Sequence, residues 1–245
     1  MTEFIVHADD FGKDAAVNEA IDECFRNGWI SEASVMVNMP GCMDAVDLAR
    51  KNGYARQIGL HLNLTEGKPL TKEICTLPMF CGADGFFNKA FQRNMRTKVF
   101  LSSKETIALR KEIKEQIRRF KEMTGLLPKI DSHHHVHTYF PIFAILEPIA
   151  KEYGFKSMRI SADMHTVGMF RRIYKHILNR RIRRSFTTTT HFDGINNGVL
   201  DDPGGVVEVM VHPIKKGTVI FDTDISFDTQ VSRLRNAPNS KLCQI

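Results

Sequence analysis

The sequence predicts a single α/β domain built on parallel strands. Three short apolar segments, Phe4–Ala8, Ala33–Asn38 and Gln57–Leu64, alternate with two helical segments. This β-α-β-α-β alternation is typical of parallel sheets with right-handed crossovers. A chain of 245 residues with 42% hydrophobic residues can bury a large core, and barrels and other α/β folds of this size are commonly one domain. Side chains at the carboxyl ends of the strands are therefore candidates for the functional site.

Polar caps and glycines delimit the predicted helices. Asp14 precedes the first helix, and Ser102 with Glu105 matches a capping box at the start of the longest one. Gly125 follows that helix at the position of a C-terminal cap. A further helix is predicted over residues 140–153, directly after a cluster of histidines.

Two regions of the chain have no regular pattern. Residues 65–100 are rich in glycine, proline, phenylalanine and cysteine, and they predict a loop insertion that forms a substrate wall over the carboxyl edge of the sheet. Residues 163–205 contain a basic stretch, 171–184, that could be a helix. A β-branched strand is predicted over Val206–Val211, and the last 25 residues or so are expected to form a partly ordered tail.

Composition limits the kinds of partner. No apolar run approaches the roughly 20 residues that span a membrane, and the N-terminus lacks the features of a signal peptide, so we expect no membrane partner. The five cysteines have no CxxC spacing, which favours reduced thiols in the cytoplasm. Much of the net charge of +6 lies in the basic stretch 171–184, which we interpret as a solvated helix face rather than a nucleic-acid site, since its only aromatic residue is Tyr174.

Carboxylates and histidines recur where predicted strands end. Asp9 and Asp10 close the first strand, His61 lies in the third, and His212 follows the β-branched strand. Each has a structural alternative, because an aspartate can cap the next helix and a lone histidine can be a satisfied core residue. Burying a carboxylate nevertheless costs free energy unless it is paired or binds a metal. The carboxyl ends of parallel strands also converge, which would bring these side chains together.

The histidine cluster, Asp131–His137, holds four of the ten histidines of the chain. In an extended chain, His133, His135 and His137 point to one side and His134 to the other. Three imidazoles on one face indicate a metal site or a proton relay. Two histidines and one carboxylate with open positions bind a divalent metal that activates water, but alternation alone does not select which histidine of the cluster is the ligand.

Several other kinds of site have no support in the sequence. There is no GxSxG nucleophile elbow, no GxGxxG fingerprint and no Walker sequence. A nucleotide cofactor and a seryl nucleophile are therefore not expected.

Four segments together resemble the YdjC-type carbohydrate deacetylases, a group that includes the chito-oligosaccharide deacetylases. These segments are Ala8–Gly12, Gly59–Leu70, Asp131–His137 and Val209–Pro213, and they occur in the family's order. The resemblance implies a distorted (β/α) barrel that is TIM-barrel-like, a bound divalent metal, usually magnesium, and hydrolysis of N-acetyl groups on amino sugars. It also implies a small carbohydrate substrate and is compatible with a homodimer.

The resemblance also implies roles for individual residues. Asp10, His61 and His133 take the positions of the metal ligands, for magnesium or alternatively zinc or another transition metal. Asp9 takes the position of the general base, and His212 that of the general acid.

Three histidines fall outside these principal roles. His135 and His137 are expected to support the ligands or Asp9 from behind, and His7 stands where the family more often has asparagine.

Two alternative functions stay open. One is a metal-dependent phosphoesterase or other amidohydrolase using the same site. The other is a non-catalytic barrel that binds sugar or nucleic acid.

Overall fold

A parallel sheet forms the centre of the molecule. The computed structural model describes residues 1–164, 167–196, 203–237 and 239–243. In chain order, the strands of the sheet are β1 (Thr2–Phe11), β2 (Glu32–Val35), β3 (Ile58–Leu62), β4 (Lys129–Ser132), β5 (Ser157–Met158), β6 (His191–Gly194) and β7 (Gly205–Val211). They are arranged in the order β5-β4-β3-β2-β1-β7-β6, and every neighbouring pair is parallel.

Backbone hydrogen bonds bring the two outer edges of this sheet together. The Thr187 N–H donates to Lys156 O at 2.9 Å, and the Met158 N–H donates to Thr187 O at 3.2 Å. Farther along, the Asp163 N–H donates to Phe192 O at 3.1 Å. Because these bonds join the chain around β5 to the chain around β6, the sheet curls into a distorted (β/α) barrel, as predicted.

Helices surround the sheet. They are α1 (Ala15–Arg26), α2 (Cys42–Lys51), α3 (Lys72–Cys75), α4 (Ala90–Arg93), α5 (Ser103–Thr124), α6 (Phe140–Tyr153), α7 (Met169–Ser185) and α8 (Phe227–Arg235), with short 3-10 helices at Arg96–Lys98 and His133–Thr138. Among the described residues, none of these helices combines the length and the apolar character that crossing a membrane requires.

The predicted helix caps are confirmed. An oxygen of the Asp14 side chain accepts a hydrogen bond from the Val17 N–H at 2.9 Å. At the start of α5, the Glu105 carboxylate accepts from the Ser102 N–H at 2.7 Å, and the Ser102 hydroxyl accepts from the Glu105 N–H at 3.3 Å. Gly125 ends α5 in the left-handed conformation, with φ of 70°.

The insertion of residues 65–100 is packed against the rest of the domain. Its two short helices, α3 and α4, lie within this segment, and Phe80 and Phe91 are buried with ring centroids 5.2 Å apart. The Glu112 carboxylate of α5 accepts hydrogen bonds from the N–H groups of Leu70 and Thr71 at 3.0 and 2.8 Å. A buried carboxylate on a long helix thus fixes the start of the insertion.

The C-terminal part of the chain differs from its prediction as a partly ordered tail. Three antiparallel strands, β8 (Ile214–Lys216), β9 (Val219–Asp222) and β10 (Ile225–Ser226), form a second sheet before α8. A last strand, β11 (Ser240–Leu242), pairs in parallel with the first residues of β1. The prediction was wrong because strands of two to four residues leave too short a pattern to recognise.

The region 163–205, which has no regular sequence pattern, contains the helix α7 and the strand β6. Its basic stretch lies in α7, as the sequence suggested, and β6 follows it. Residues 165–166 and 197–202 of this region lie outside the described residues.

Candidate metal centre

Three metal-ligating side chains meet at the carboxyl edge of the barrel sheet. Asp10 lies near the end of β1, His61 lies in β3, and His133 follows β4 directly. Asp10 Oδ1 is 3.3 Å from His61 Nε2 and 2.7 Å from His133 Nδ1. One donor atom from each residue lies within 4.8 Å of the other two. The strands therefore bring together the three residues for which the resemblance implies metal binding.

The donor atoms of this cluster lack hydrogen-bond partners. Asp10 Oδ1, His61 Nε2 and His133 Nε2 are buried, and none of them has hydrogen-bond geometry with any of the described residues. A buried polar atom left unsatisfied costs roughly 1–3 kcal/mol. One carboxylate oxygen and two imidazoles in such a state fit a divalent cation.

An irregularity in the pairing of β1 with β2 includes both aspartates. The pairing register between β1 and β2 shifts between Ala8 and Phe11, and Asp10 has φ of 67°. A left-handed conformation is uncommon for a residue other than glycine and is often found at functional sites. Asp9 Oδ2 consequently lies 3.9 Å from His61 Nε2, close to Asp10. The carboxylates of Asp9 and Asp10 therefore both lie near His61 Nε2.

The carboxylates and histidines of this cluster shift one another's pKa values. Burial would raise the pKa of the Asp10 carboxyl, but the contacts with His133 and His61 outweigh it and hold that pKa well below its usual range. Burial would lower the pKa of His61, yet the carboxylates of Asp131 and Asp9 raise it to about 10. Because a histidine ligand must be neutral, a bound cation takes the place of the His61 proton.

Asp131 orients His61. The His61 Nδ1–H donates to Asp131 Oδ1 at 2.8 Å, which turns Nε2 toward Asp10. The Ser34 hydroxyl donates to Asp131 Oδ2 at 3.0 Å. Carboxylates that hold the far nitrogen of a histidine ligand fix its tautomer and increase its basicity. Asp131 had no predicted role, although a carboxylate within a buried strand was a usable indication.

Arg159 is the most important residue that sequence analysis missed. Its guanidinium is fully buried and donates to both oxygens of Asp9, at 2.7 and 2.8 Å. It also contacts Asp131 Oδ2 at 2.8 Å and Glu208 Oε1 at 2.6 Å. Burial would raise the pKa of Asp9, but Arg159 and His61 lower it to about 2, so Asp9 is ionised. The one available indication was an arginine inside an apolar segment after β5.

A second group of buried charges lies behind Asp9. His7 Nδ1 is 3.1 Å from a Glu32 oxygen, and His7 Nε2 is 3.8 Å from Asp9 Oδ1. Lys129 Nζ lies 2.7 Å from Glu32 and 2.9 Å from Glu208. Burial would lower the pKa of Lys129, but Glu208 and Glu32 raise it to about 12. The barrel interior thus contains a chain of alternating charges rather than an apolar core beside the site.

The histidine cluster leaves the extended conformation after Ser132, so its predicted alternation is wrong. Residues His133–Thr138 form short helical turns joined at a kink, where His134 and His135 have non-helical φ of 50° and 54°. Only His133 joins Asp10 and His61 among the described residues. Two consecutive left-handed residues turn the chain sharply after β4, and no strand pattern could reveal that turn.

The two supporting histidines have different surroundings. His137 Nε2 lies 3.1 Å from the backbone oxygen of Arg159, and His137 Nδ1 lies 2.5 Å from the Ser132 hydroxyl. Burial lowers the pKa of His137 to about 3 and that of His135 to about 4, so both are neutral. The His135 ring packs edge-on against Phe192, with centroids 5.6 Å apart. His137 therefore contacts the residue that holds Asp9, and neither histidine is part of the three-donor cluster.

His212 lies at the end of β7, next to β1. Ala8 pairs with Val211 in the sheet, so His212 comes beside Asp9 in the register. The Asp222 carboxylate of β9, a buried residue that sequence analysis missed, lies beside the backbone N–H of His212. Burial raises the pKa of Asp222. His212 is not among the donors that converge with Asp10 within the described part of the chain.

The insertion contributes Glu66 to the rim of the site. Glu66 Oε1 lies 3.5 Å from His133 Nε2, and Glu66 Oε2 lies 2.9 Å from Lys13 Nζ. The contact with His133 lowers the pKa of Glu66 to about 2. The insertion therefore borders the carboxyl edge of the sheet, as expected of a substrate wall.

The sequence is similar to known carbohydrate deacetylases. A sequence model of the family described as YdjC-like protein matches residues 3–229. A carbohydrate deacetylase of Clostridium beijerinckii is 29% identical over 253 residues, which cover 98% of this chain and 93% of the relative. A carbohydrate deacetylase of Brevibacillus brevis is 36% identical over 149 residues, covering 61% of this chain and 56% of the relative.

The fold is also similar to that of a solved structure. The crystal structure of a proposed cellobiose-phosphate cleavage protein from Enterococcus faecalis superposes with a TM-score of 0.67. The match covers 89% of this chain and 83% of that protein at 22% identity, which supports the fold alone. Since the family match includes the strands that carry Asp10, His61, His133 and His212, the chain belongs to the YdjC-like protein family.

Proposed function

We propose that this protein is a metal-dependent hydrolase that removes acetyl groups from N-acetylated carbohydrates. The observation that carries the proposal is the buried convergence of Asp10, His61 and His133, in which Asp10 Oδ1, His61 Nε2 and His133 Nε2 lack hydrogen-bond partners among the described residues. Relatives in the same family that are named carbohydrate deacetylases support the substrate class.

Asp10, His61 and His133 would hold the divalent cation, which polarises the acetyl carbonyl and acidifies a water when bound. The resemblance implies magnesium, whereas two imidazole ligands favour zinc or another transition ion. Reconstitution of the metal-free protein with each ion separately, followed by an activity assay, identifies the ion.

Asp9 is the proposed general base. Its carboxylate is ionised and lies 3.9 Å from His61 Nε2, so it borders the cation site. Arg159 fixes the direction of both oxygens. A carboxylate with a pKa of about 2 accepts a proton only from a strongly acidified water, which agrees with a requirement for metal. Asp9 would take that proton as the water oxygen adds to the acetyl carbon.

His212 is the proposed general acid. It follows Val211, which pairs with Ala8, the residue before Asp9, and its backbone N–H lies beside the Asp222 carboxylate. His212 would protonate the sugar nitrogen as the C–N bond breaks. The products are acetate and a free amino sugar.

The same proposal includes a substrate class, a cell compartment and an oligomeric state. The substrate is a small carbohydrate with an acetylated amine. The five cysteines are free thiols, which supports a reducing compartment such as the cytoplasm. The homodimer that is compatible with the family resemblance stays a prediction, which light scattering tests.

The decisive experiment measures acetate release from a panel of N-acetylated mono- and oligosaccharides. We expect release that a chelator abolishes and that added divalent metal restores. The His212→Ala variant should lose about 10²–10⁴-fold in turnover while it keeps its metal. If no sugar in the panel yields acetate, the deacetylase proposal is wrong.

Two further experiments test the alternative functions, a phosphoesterase and a non-catalytic binding protein. Phosphate release from sugar phosphates would indicate a phosphoesterase that uses the same cluster. Retention on DNA or RNA that weakens with salt, without any metal-dependent turnover, would indicate a binding protein instead.

A further inference from the structure

The N-terminal half of α7 exposes large apolar side chains. The exposed fractions are 63% for Met169, 84% for Phe170, 50% for Ile173 and 60% for Ile177. Four such residues within nine positions form a contiguous apolar surface, unlike the isolated exposed hydrophobics that are common in proteins. A surface of this kind on a helix usually has a partner.

The outward face of α7 changes from apolar to cationic along its length. Met169, Ile173, Ile177, Arg180 and Arg184 recur every three or four residues and therefore lie on one side of the helix. All five side chains are exposed. The helix thus presents three apolar residues in line with two arginines.

The opposite face of α7 is firmly attached to the barrel. Leu178, Asn179 and Ile182 are its buried residues. The Asn179 side chain donates to Ser161 O at 2.9 Å and accepts from the Ser161 N–H at 2.8 Å. Because these contacts fix the rotation of the helix, its apolar residues cannot turn inward.

The helix carries a large excess of positive charge. Its 17 residues include seven lysines and arginines and no aspartate or glutamate. Across the described ranges, no carboxylate forms an ion pair with the guanidinium groups of Arg171, Arg172, Arg180 and Arg184. A partner that covers this face must therefore supply both an apolar environment and negative charge.

We propose that α7 docks the protein on the surface of an anionic lipid bilayer. A bilayer offers an acyl region for Phe170, Ile173 and Ile177, and anionic headgroups for the arginines. A symmetric contact between two copies of α7 would cover the apolar residues but supply no negative charge to the arginines, since the helix has no aspartate or glutamate. The helix lies in the plane of the surface, with Arg180 and Arg184 reaching the headgroups.

The docking helix contacts the segment that follows the proposed ligand His133. The Tyr174 hydroxyl donates to Thr138 O at 2.7 Å and accepts from the Phe140 N–H at 2.9 Å. Thr138 ends the 3-10 helix that begins with His133. A membrane-bound α7 would therefore place the end of this segment near the lipid surface, contrary to the sequence-based expectation that the protein has no membrane partner.

Vesicle flotation tests this proposal on the metal-loaded protein. We expect the protein to float with vesicles of phosphatidylcholine and phosphatidylglycerol, to remain behind with phosphatidylcholine alone, and to dissociate as salt is raised. The double variant Arg180→Gln/Arg184→Gln should lower partitioning about 30-fold, since each basic residue contributes about 1 kcal/mol at an anionic surface. The variant Phe170→Ser/Ile173→Ser/Ile177→Ser should abolish it.

Two control variants alter exposed residues elsewhere. Lys51→Gln/Lys121→Gln removes the same charge, and Ile107→Ser removes an exposed apolar side chain from α5; both should bind vesicles normally. Circular dichroism and metal content show whether each variant is folded. Failure of the wild-type protein to bind anionic vesicles overturns the proposal. So does self-association that the apolar variant abolishes without any vesicle binding, because α7 would then be an interface between copies.

Discussion

The Arg159 guanidinium donates to both carboxylate oxygens of Asp9, at 2.7 and 2.8 Å, within the buried interior of the barrel. Two parallel hydrogen bonds fix the plane of the carboxylate as well as its position. The residue proposed as general base is therefore oriented by a side chain from the far edge of the sheet.

Replacing Arg159 by lysine should reduce turnover without removing the metal. Lysine retains the positive charge but cannot form the two-point contact with Asp9. We expect kcat to fall about 10²–10⁴-fold, measured by acetate release at saturating metal. Arg96→Lys alters an arginine–glutamate pair far from the proposed chemistry and serves as the matched control. Normal turnover of Arg159→Lys would show that Asp9 needs no such orientation.

Neighbouring histidines should differ in their effect on metal binding. His133→Asn removes one of the three converging donors, so metal content after dialysis and activity should both be lost. His134→Asn changes an exposed side chain that contacts the Thr65 hydroxyl at 2.9 Å, and should retain both. Asparagine tolerates the left-handed backbone at residue 134. Equal metal content in the two variants would contradict the ligand assignment.

Asp131→Asn should weaken metal binding while the proposed ligands remain in place. An asparagine oxygen can still accept the hydrogen bond from His61 Nδ1, but it lacks the charge that increases the basicity of the imidazole. We expect an affinity about 10–100-fold lower, measured by competition with a fluorescent chelator. Unchanged affinity would mean that the carboxylate serves the fold only.

The capping box of α5 should make stability depend on pH in the acid range. The contact with Arg96 lowers the pKa of Glu105 from 4.5 to about 2, so the stabilisation is complete above pH 4.5 and is lost as pH falls toward 2. Glu105→Gln retains the cap but not the charge. Urea unfolding should give a deficit of about 1–2 kcal/mol at pH 7, because Arg96 is partly exposed.

The deficit of Glu105→Gln should shrink as the pH is lowered from 4.5, for as long as the native state persists. Ser102→Ala removes the other half of the box and should give a deficit that changes less with pH, because Arg96 lowers the pKa of Glu105 more than the Ser102 hydroxyl does. A pH-independent deficit for Glu105→Gln would contradict the assigned pKa.

The position of the candidate site could be predicted from local patterns, whereas the choice of His133 within the histidine cluster came from the family resemblance. Asp10, His61 and His133 each lie at or next to the end of a short apolar strand, and parallel strands bring such ends together. The caps of α1 and α5 were equally visible, since a cap requires only a few neighbouring residues.

The rest depended on contacts between distant parts of the chain. Arg159 is separated by 150 positions from the aspartate that it holds, and nothing near it in the sequence indicates that partner. The left-handed backbone at His134 and His135 replaced a simple alternation with a turn. Asp222 was overlooked because the small antiparallel sheet that carries it was not recognised.

The contacts of Arg159 also restrict how this protein could be made more stable. Buried ion pairs can often be replaced by well-packed apolar side chains with a gain in stability. Here the same guanidinium connects carboxylates from β1, β4 and β7, one of which is proposed to do the chemistry. Thermostable variants that keep turnover should therefore accumulate substitutions outside the barrel interior, and screens for stability alone should recover inactive proteins altered around Arg159.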